Sequence, residues 1–151
     1  HFRKYYYGPY SGKVRFVLHY LNGSYLKGVG QMEQKPFDPI WLSPDTFREV
    51  QNFLANEENK PYEDICKKTA SFLSGYYSNY LLELLSTVDF ILHNNDDLKE
   101  WLIMKPQKVF ELVVLHINQW SERKKYLFNN EEYVRLVLNH LYKTEKQYLI
   151  G

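Results

Sequence analysis

The sequence predicts a mainly α protein, a single helical domain of about six helices with a small two-stranded β element. Three observations lead there. Apolar residues recur at helical spacing in several separate stretches, with Ser, Asn or Pro at their starts and Gly at several ends. Extended patterns are short and lie early in the chain. At 151 residues the chain is long enough to bury most of its apolar surface in one core.

Residues 2–7 read as an extended aromatic stretch. Gly8-Pro9 breaks it, because glycine admits positive φ and proline fixes its own. Ser11 caps the first helix, where Val14, Val17, Leu18 and Leu21 form an inward stripe, and Gly23 ends it. Residues 24–30 read as a ribbon pairing with 2–6. A polar loop, 31–39, leads to Ile40-Trp41-Leu42, expected to dock on the core. Ser43 as cap, Pro44 at the first helical position and Asp45 in the first turn start the next helix. After a charged loop, 56–60, a helix over 61–74 turns Ile65, Thr69, Phe72 and Leu73 inward and stops at Gly75.

The central helix follows, capped by Ser78 or Asn79. Tyr80, Leu81, Leu84, Leu85, Val88, Ile91 and Leu92 cover one broad face, leaving Glu83, Ser86 and Thr87 a narrow polar side. Such a helix needs neighbours on most sides. Asp89, at the edge of the apolar arc, is expected to pair with a base or cap a neighbour rather than act as an acid. A turn at 94–97 caps a short segment, Pro106 opens a helix over 106–120, and residues 121–130 read as a basic link. Asn129 or Asn130 caps the last helix, with Val134, Val137, Leu138 and Leu141 inward and fraying expected after Tyr142.

The 19 basic and 18 acidic side chains nearly cancel, giving a net charge of +1. That argues against one broad basic nucleic-acid face, and equally against a uniformly acidic decoy. The single cysteine, Cys66, excludes an internal disulfide and a cysteine-based metal site. It is expected to be a small buried hydrophobe in a reducing, cytoplasmic setting. No apolar run approaches the roughly 20 residues of a membrane span. Opening on His1 within an aromatic, basic run, the chain reads as a fragment of something longer. No Gly-rich phosphate loop, nucleophile elbow or pair of histidines at ligand spacing is present, and His116 reads as a core histidine. No catalytic group, cofactor, metal or small-molecule substrate is therefore expected.

Two clusters stand out. Residues 2–10 are either a strand with a packed tyrosine or a rigid aromatic–basic surface, where Tyr and Arg supply binding energy. Trp120-Ser121-Glu122-Arg123-Lys124-Lys125-Tyr126 is either a solvated charge run after a helix end or a contact for phosphate or an acidic partner.

Three blocks in order resemble the C-terminal region of DarG-type antitoxins. The first is Lys4, Tyr7-Gly8-Pro9-Tyr10, Leu21-Asn22-Gly23 and Gly28-Val29-Gly30; the second runs from Gly75 to Asp89; the third is Trp120, Arg123, Lys124 and Phe128. Phe90 stands where the pattern has Trp. The resemblance implies that residues 1–151 are an antitoxin C-terminal domain, with an upstream macrodomain and first helix absent. It implies a partner, a DarT-type toxin that attaches ADP-ribose to bases of single-stranded DNA, inhibited by occlusion of its DNA groove. Arg3, Lys4, Tyr7, Tyr10, Tyr76, Tyr77, Arg123 and Lys124 are the expected partner-binding residues. DNA mimicry would use carboxylates in place of phosphates, with Glu57-Glu58, Glu63-Asp64, Asp96-Asp97 and Glu131-Glu132 as candidates. The alternatives are a nucleic-acid-binding regulator using Arg3, Lys4, Arg123, Lys124 and Lys125, and a hydrolase acting with the macrodomain.

Overall fold

A computed structural model describes residues 2–30 and 38–150, with side chains to Glu145. Four short strands and eight α-helices follow one another among these residues. The architecture is mainly α, with two antiparallel two-stranded sheets. Expected as one domain, the chain divides into two compact units: the described residues of 11–75, and residues 2–10 with 76–150. Among the described residues no helix is long and apolar enough to cross a membrane.

The first unit holds α1 (Gly12–Leu21), β3 (Leu26–Lys27), β4 (Trp41–Leu42), α2 (Thr46–Ala55) and α3 (Lys60–Phe72). Ser11 caps α1 as expected, its Oγ accepting from Val14 N at 3.4 Å. The inward stripe does not follow, because α1 buries no residue and Val14 and Val17 are exposed. Ile65 of α3 is likewise exposed and Thr69 lies at the surface. Cys66 is exposed rather than buried. The ribbon 24–30 pairs with β4 instead of with 2–6, Leu26 opposite Leu42 and Lys27 opposite Trp41. Ile40, Trp41 and Leu42 are all exposed, the last two as β4, rather than a segment docked on the core. Ser43 N donates to Tyr25 O at 2.9 Å and the Thr46 hydroxyl to the same oxygen at 3.2 Å. Those bonds hold residues 43–45 out of the helix, which starts at Thr46. Asn22 Oδ1 accepts from Val29 N at 3.3 Å, and a Cβ on Gly30 would overlap the His19 ring. The Leu-Asn-Gly and Gly-Val-Gly elements thus fix each other. The loop expected over 31–39 lies outside the described residues for 31–37.

The second unit is built on α4 (Asn79–His93), capped by Ser78 Oγ accepting from Leu81 N at 3.1 Å. Around α4 pack α5 (Asp96–Met104), α6 (Pro106–Asn118) and α8 (Glu131–Ile150). Leu84 and Val88 of α4, Val109 and Val113 of α6, and Val134 and Val137 of α8 form the driest part of the core. The broad apolar face predicted for α4 is buried from Leu84 to Leu92 and half-buried at Tyr80 and Leu81, and the stripe predicted for the last helix is buried. Helix α8 continues past Tyr142, where fraying was expected, to Ile150. The basic link contains α7 (Glu122–Leu127), started by Ser121 Oγ accepting from Lys124 N at 3.2 Å. Asp89 does pair with a base: its Oδ1 is 3.2 Å from His93 Nδ1.

Residues 2–10 belong to this unit as a hairpin of β1 (Arg3–Tyr5) and β2 (Gly8–Tyr10). Arg3 faces Tyr10, Lys4 faces Pro9 and Tyr5 faces Gly8, so the turn is Tyr6-Tyr7. Gly8-Pro9, expected to break the stretch, instead starts the returning strand. Gly8 has φ +144°, a region that side-chain-bearing residues rarely adopt.

Candidate functional site

The narrow polar side of α4 turns out to be the most informative surface in the sequence. Glu83 and Thr87, one turn apart, are both buried, while Ser86 beside them reaches the surface. Lys124 of α7 enters the same space and is 0% exposed. Its ammonium has three protons and three partners: Glu83 Oε1 at 2.8 Å, Thr87 Oγ1 at 2.8 Å and Tyr7 O at 3.0 Å. The Thr87 hydroxyl in turn donates a hydrogen bond to Glu83 O at 2.6 Å. Arg123 closes the cluster with a fork onto the Glu83 carboxylate, Nη1 to Oε1 and Nη2 to Oε2, the latter 3.0 Å.

Burial alone would raise the Glu83 carboxyl. The hydrogen bonds from Arg123 and Lys124, and their charges, outweigh it and hold the group below its ordinary value. Lys124 moves the other way, lowered by burial with Glu83 only partly restoring it. A buried charge triad of this kind is costly to break, because removing one member leaves another desolvated and unpaired.

This cluster fastens the hairpin. Besides Lys124 on Tyr7 O, the Trp120 indole N–H donates to Tyr5 O at 2.9 Å, and Lys4 Nζ reaches Gln119 O at 3.4 Å while lying 5.0 Å from the Trp120 ring centre. Phe90, where the antitoxin pattern has Trp, meets Trp120 edge to face at 5.5 Å. On the outer side the Arg123 guanidinium is 4.9 Å from the Tyr7 ring centre and 5.9 Å from that of Tyr6. Arg3 lies 5.2 Å over Tyr10. The outcome is a hairpin held by three hydrogen bonds to the helical core, displaying Tyr5, Tyr6 and Tyr7 at 56%, 52% and 39% exposure. The three sequence blocks meet at this point: Tyr7-Gly8 from the first, Glu83 and Thr87 from the second, Trp120, Arg123 and Lys124 from the third.

The chain is similar to a DNA ADP-ribosyl glycohydrolase of Thermus aquaticus. Identity to the Thermus protein is 25% over 118 residues, 78% of this chain but 29% of that relative's length. No family model matches the chain.

Of the eight residues expected to meet a partner, the structure groups five: Arg3, Lys4, Tyr7 and Tyr10 of the hairpin with Arg123 beside them. Lys124 is a correction. Its ammonium is enclosed by Glu83, Thr87 and Tyr7, so it presents no charge to the surface. Tyr76 is also buried, its ring 4.7 Å from that of His140, and burial pushes its phenol up. Tyr77 is 82% exposed, next to the buried Tyr76. Glu83 and Thr87 went unassigned because a helical wheel places them on the polar side. The available signal was an acid and a hydroxyl one turn apart on an otherwise apolar helix, with two adjacent bases unexplained elsewhere. The acidic pairs Glu57-Glu58, Asp96-Asp97 and Glu131-Glu132 fall in first helical turns, and Glu63 lies between Lys60 and Lys67. Among the described residues no three His, Cys, Asp or Glu side chains are grouped to hold a metal ion.

Proposed function

We propose that this chain is a non-catalytic binding module of a DNA ADP-ribosylation system, an antitoxin domain that inhibits a DarT-type DNA ADP-ribosyltransferase by occluding its DNA groove. The observation that carries the reading is the tyrosine hairpin. Aromatic rings on a backbone fastened in advance lose little entropy on binding, which is how a small patch contributes much affinity. The name of the Thermus relative supports the DNA ADP-ribosylation setting, and the three antitoxin-like blocks support the role within it. In this reading Tyr5, Tyr6 and Tyr7 take the place of bases and Arg3 and Arg123 set the orientation. Asp96-Asp97 or Glu131-Glu132 would supply phosphate-like charge where mimicry is used.

The test is titration of the chain against a DarT-type toxin, reading binding and DNA modification together. Tight one-to-one binding with loss of modification is expected, and replacing Tyr6 and Tyr7 together by Ala should weaken it about tenfold or more. A folded chain that does not bind would sink the reading. The chain alone should release no ADP-ribose from modified DNA; release would make it an enzyme.

A second reading has its own observation: Arg3, Lys4 and Lys125 are exposed close in sequence to exposed rings, a pairing that suits single-stranded nucleic acid. Binding of that kind should fall steeply with salt, and toxin binding should be absent.

A further inference from the structure

A groove between α5, α6 and α8 of the second unit lies outside the hairpin and its anchor. Its volume is about 380 Å³. Ile103, Pro106, Phe110 and Leu138 supply apolar wall, and Gln107, Asn139, Arg135 and Tyr142 bring polar groups to the lining. No carboxylate lines it. The Arg135 guanidinium carbon lies over Phe110, 3.6 Å from the ring centre, and Nη1 donates to Gln107 Oε1 at 3.1 Å. Gln107 is oriented in turn by Glu111, whose Oε1 accepts from its amide at 3.0 Å. Neither Glu111 nor Glu131, one turn before Arg135 on α8, forms an ion pair with it among the described residues. A stacked, oriented guanidinium bonded to a neutral amide keeps a full charge and most of its donors for a carboxylate. Ile103 of the wall and the next residue, Met104, are 41% and 67% exposed, which leaves apolar surface at the groove open to a partner.

We propose that this groove docks an acidic amphipathic segment of a partner protein. One apolar side chain of the segment fills the space between Ile103, Phe110 and Leu138, and a neighbouring carboxylate pairs with Arg135. Charge complementarity selects this occupant: a cationic fork in an apolar trough with no internal acid. The proposal does not rest on the hairpin reading, since the two surfaces share no residue.

The test is a ¹⁵N NMR titration of the whole chain with acetyl-Glu-Leu-Phe-Glu-amide, with the corresponding Gln-Leu-Phe-Gln peptide, and with 4-phenylbutyrate. Saturable shifts at Ile103, Gln107, Phe110 and Asn139 are expected for the acidic peptide. Affinity should fall about tenfold for the Gln peptide and for Arg135→Gln, a surface change that leaves the fold intact. Ile103→Glu, on the groove rim, should repel the acidic peptide and serves as a second variant. Equal binding of the two peptides, shifts elsewhere, or no saturation would overturn the proposal. Phenylbutyrate binding as tightly as the peptide would replace the protein segment by a small carboxylate ligand.

Discussion

Lys124 shows how strongly one side chain can constrain a fold. A fully buried ammonium is tolerated because each proton has a partner and Glu83 supplies the charge. Replacing Glu83 by Gln keeps the shape but leaves Lys124 without a counter-charge, and should cost about 3–5 kcal/mol in urea unfolding. The double variant Glu83→Gln, Lys124→Met should cost clearly less than the sum of the single changes. Strict additivity would mean that the two do not interact. The acid side of the stability profile follows from the same pair. Because the folded Glu83 carboxyl is held below its ordinary value, its contribution is complete above the usual carboxylate range. It is lost as pH falls through the folded value, where the unfolded chain already holds the proton. Urea midpoints measured from neutral pH downward should therefore drop more steeply in the native chain than in Glu83→Gln.

At the scale of elements, the two units differ in how their helices are held. Helix α4 is enclosed by neighbours, whereas α1 buries nothing and α2 buries only Thr46. Isolated helices of that length are marginal in water. Amide hydrogen exchange should be slowest in the middle of α4 and fast along α1, and comparable protection in both would contradict this account. The hairpin is intermediate. Trp120→Phe removes the bond to Tyr5 O, so exchange should rise in β1 and β2 while α4 keeps its protection. These differences mark where sequence patterning informs and where it does not. In α4 and α8 the period of apolar residues matched the buried faces, because neighbours exist on the sides the pattern indicates. In α1 and α3 an equally regular stripe is exposed at Val14, Val17, Ile65 and Thr69 and only half-buried at Leu18, Leu21, Phe72 and Leu73: periodicity reports that a face is apolar, not that anything covers it. The strand partners were misassigned for a related reason, since pairs of two or three residues carry too little alternation to specify register.

For the whole molecule, stability should be unevenly divided. Far-UV circular dichroism follows helices in both units, whereas Trp101 and Trp120 report the second alone. In a Trp41→Phe background, the dichroism transition should begin at lower urea than the fluorescence transition, and coincident curves would argue for one cooperative unit. The anchor was not legible as a site because its parts lie apart in sequence, each with a sufficient local explanation: Glu83 as part of the narrow polar side of a helix, Arg123-Lys124 as bases after a helix end. That separation also has a temporal side. The bond from Lys124 to Tyr7 O joins residues 117 positions apart. During synthesis the tyrosine hairpin emerges first and must wait, unfastened, until α7 has been made. A nascent chain stopped before residue 124 would carry the aromatic sequence without the bond that fastens it, so the display of the rings is completed late, by a side chain that is itself buried.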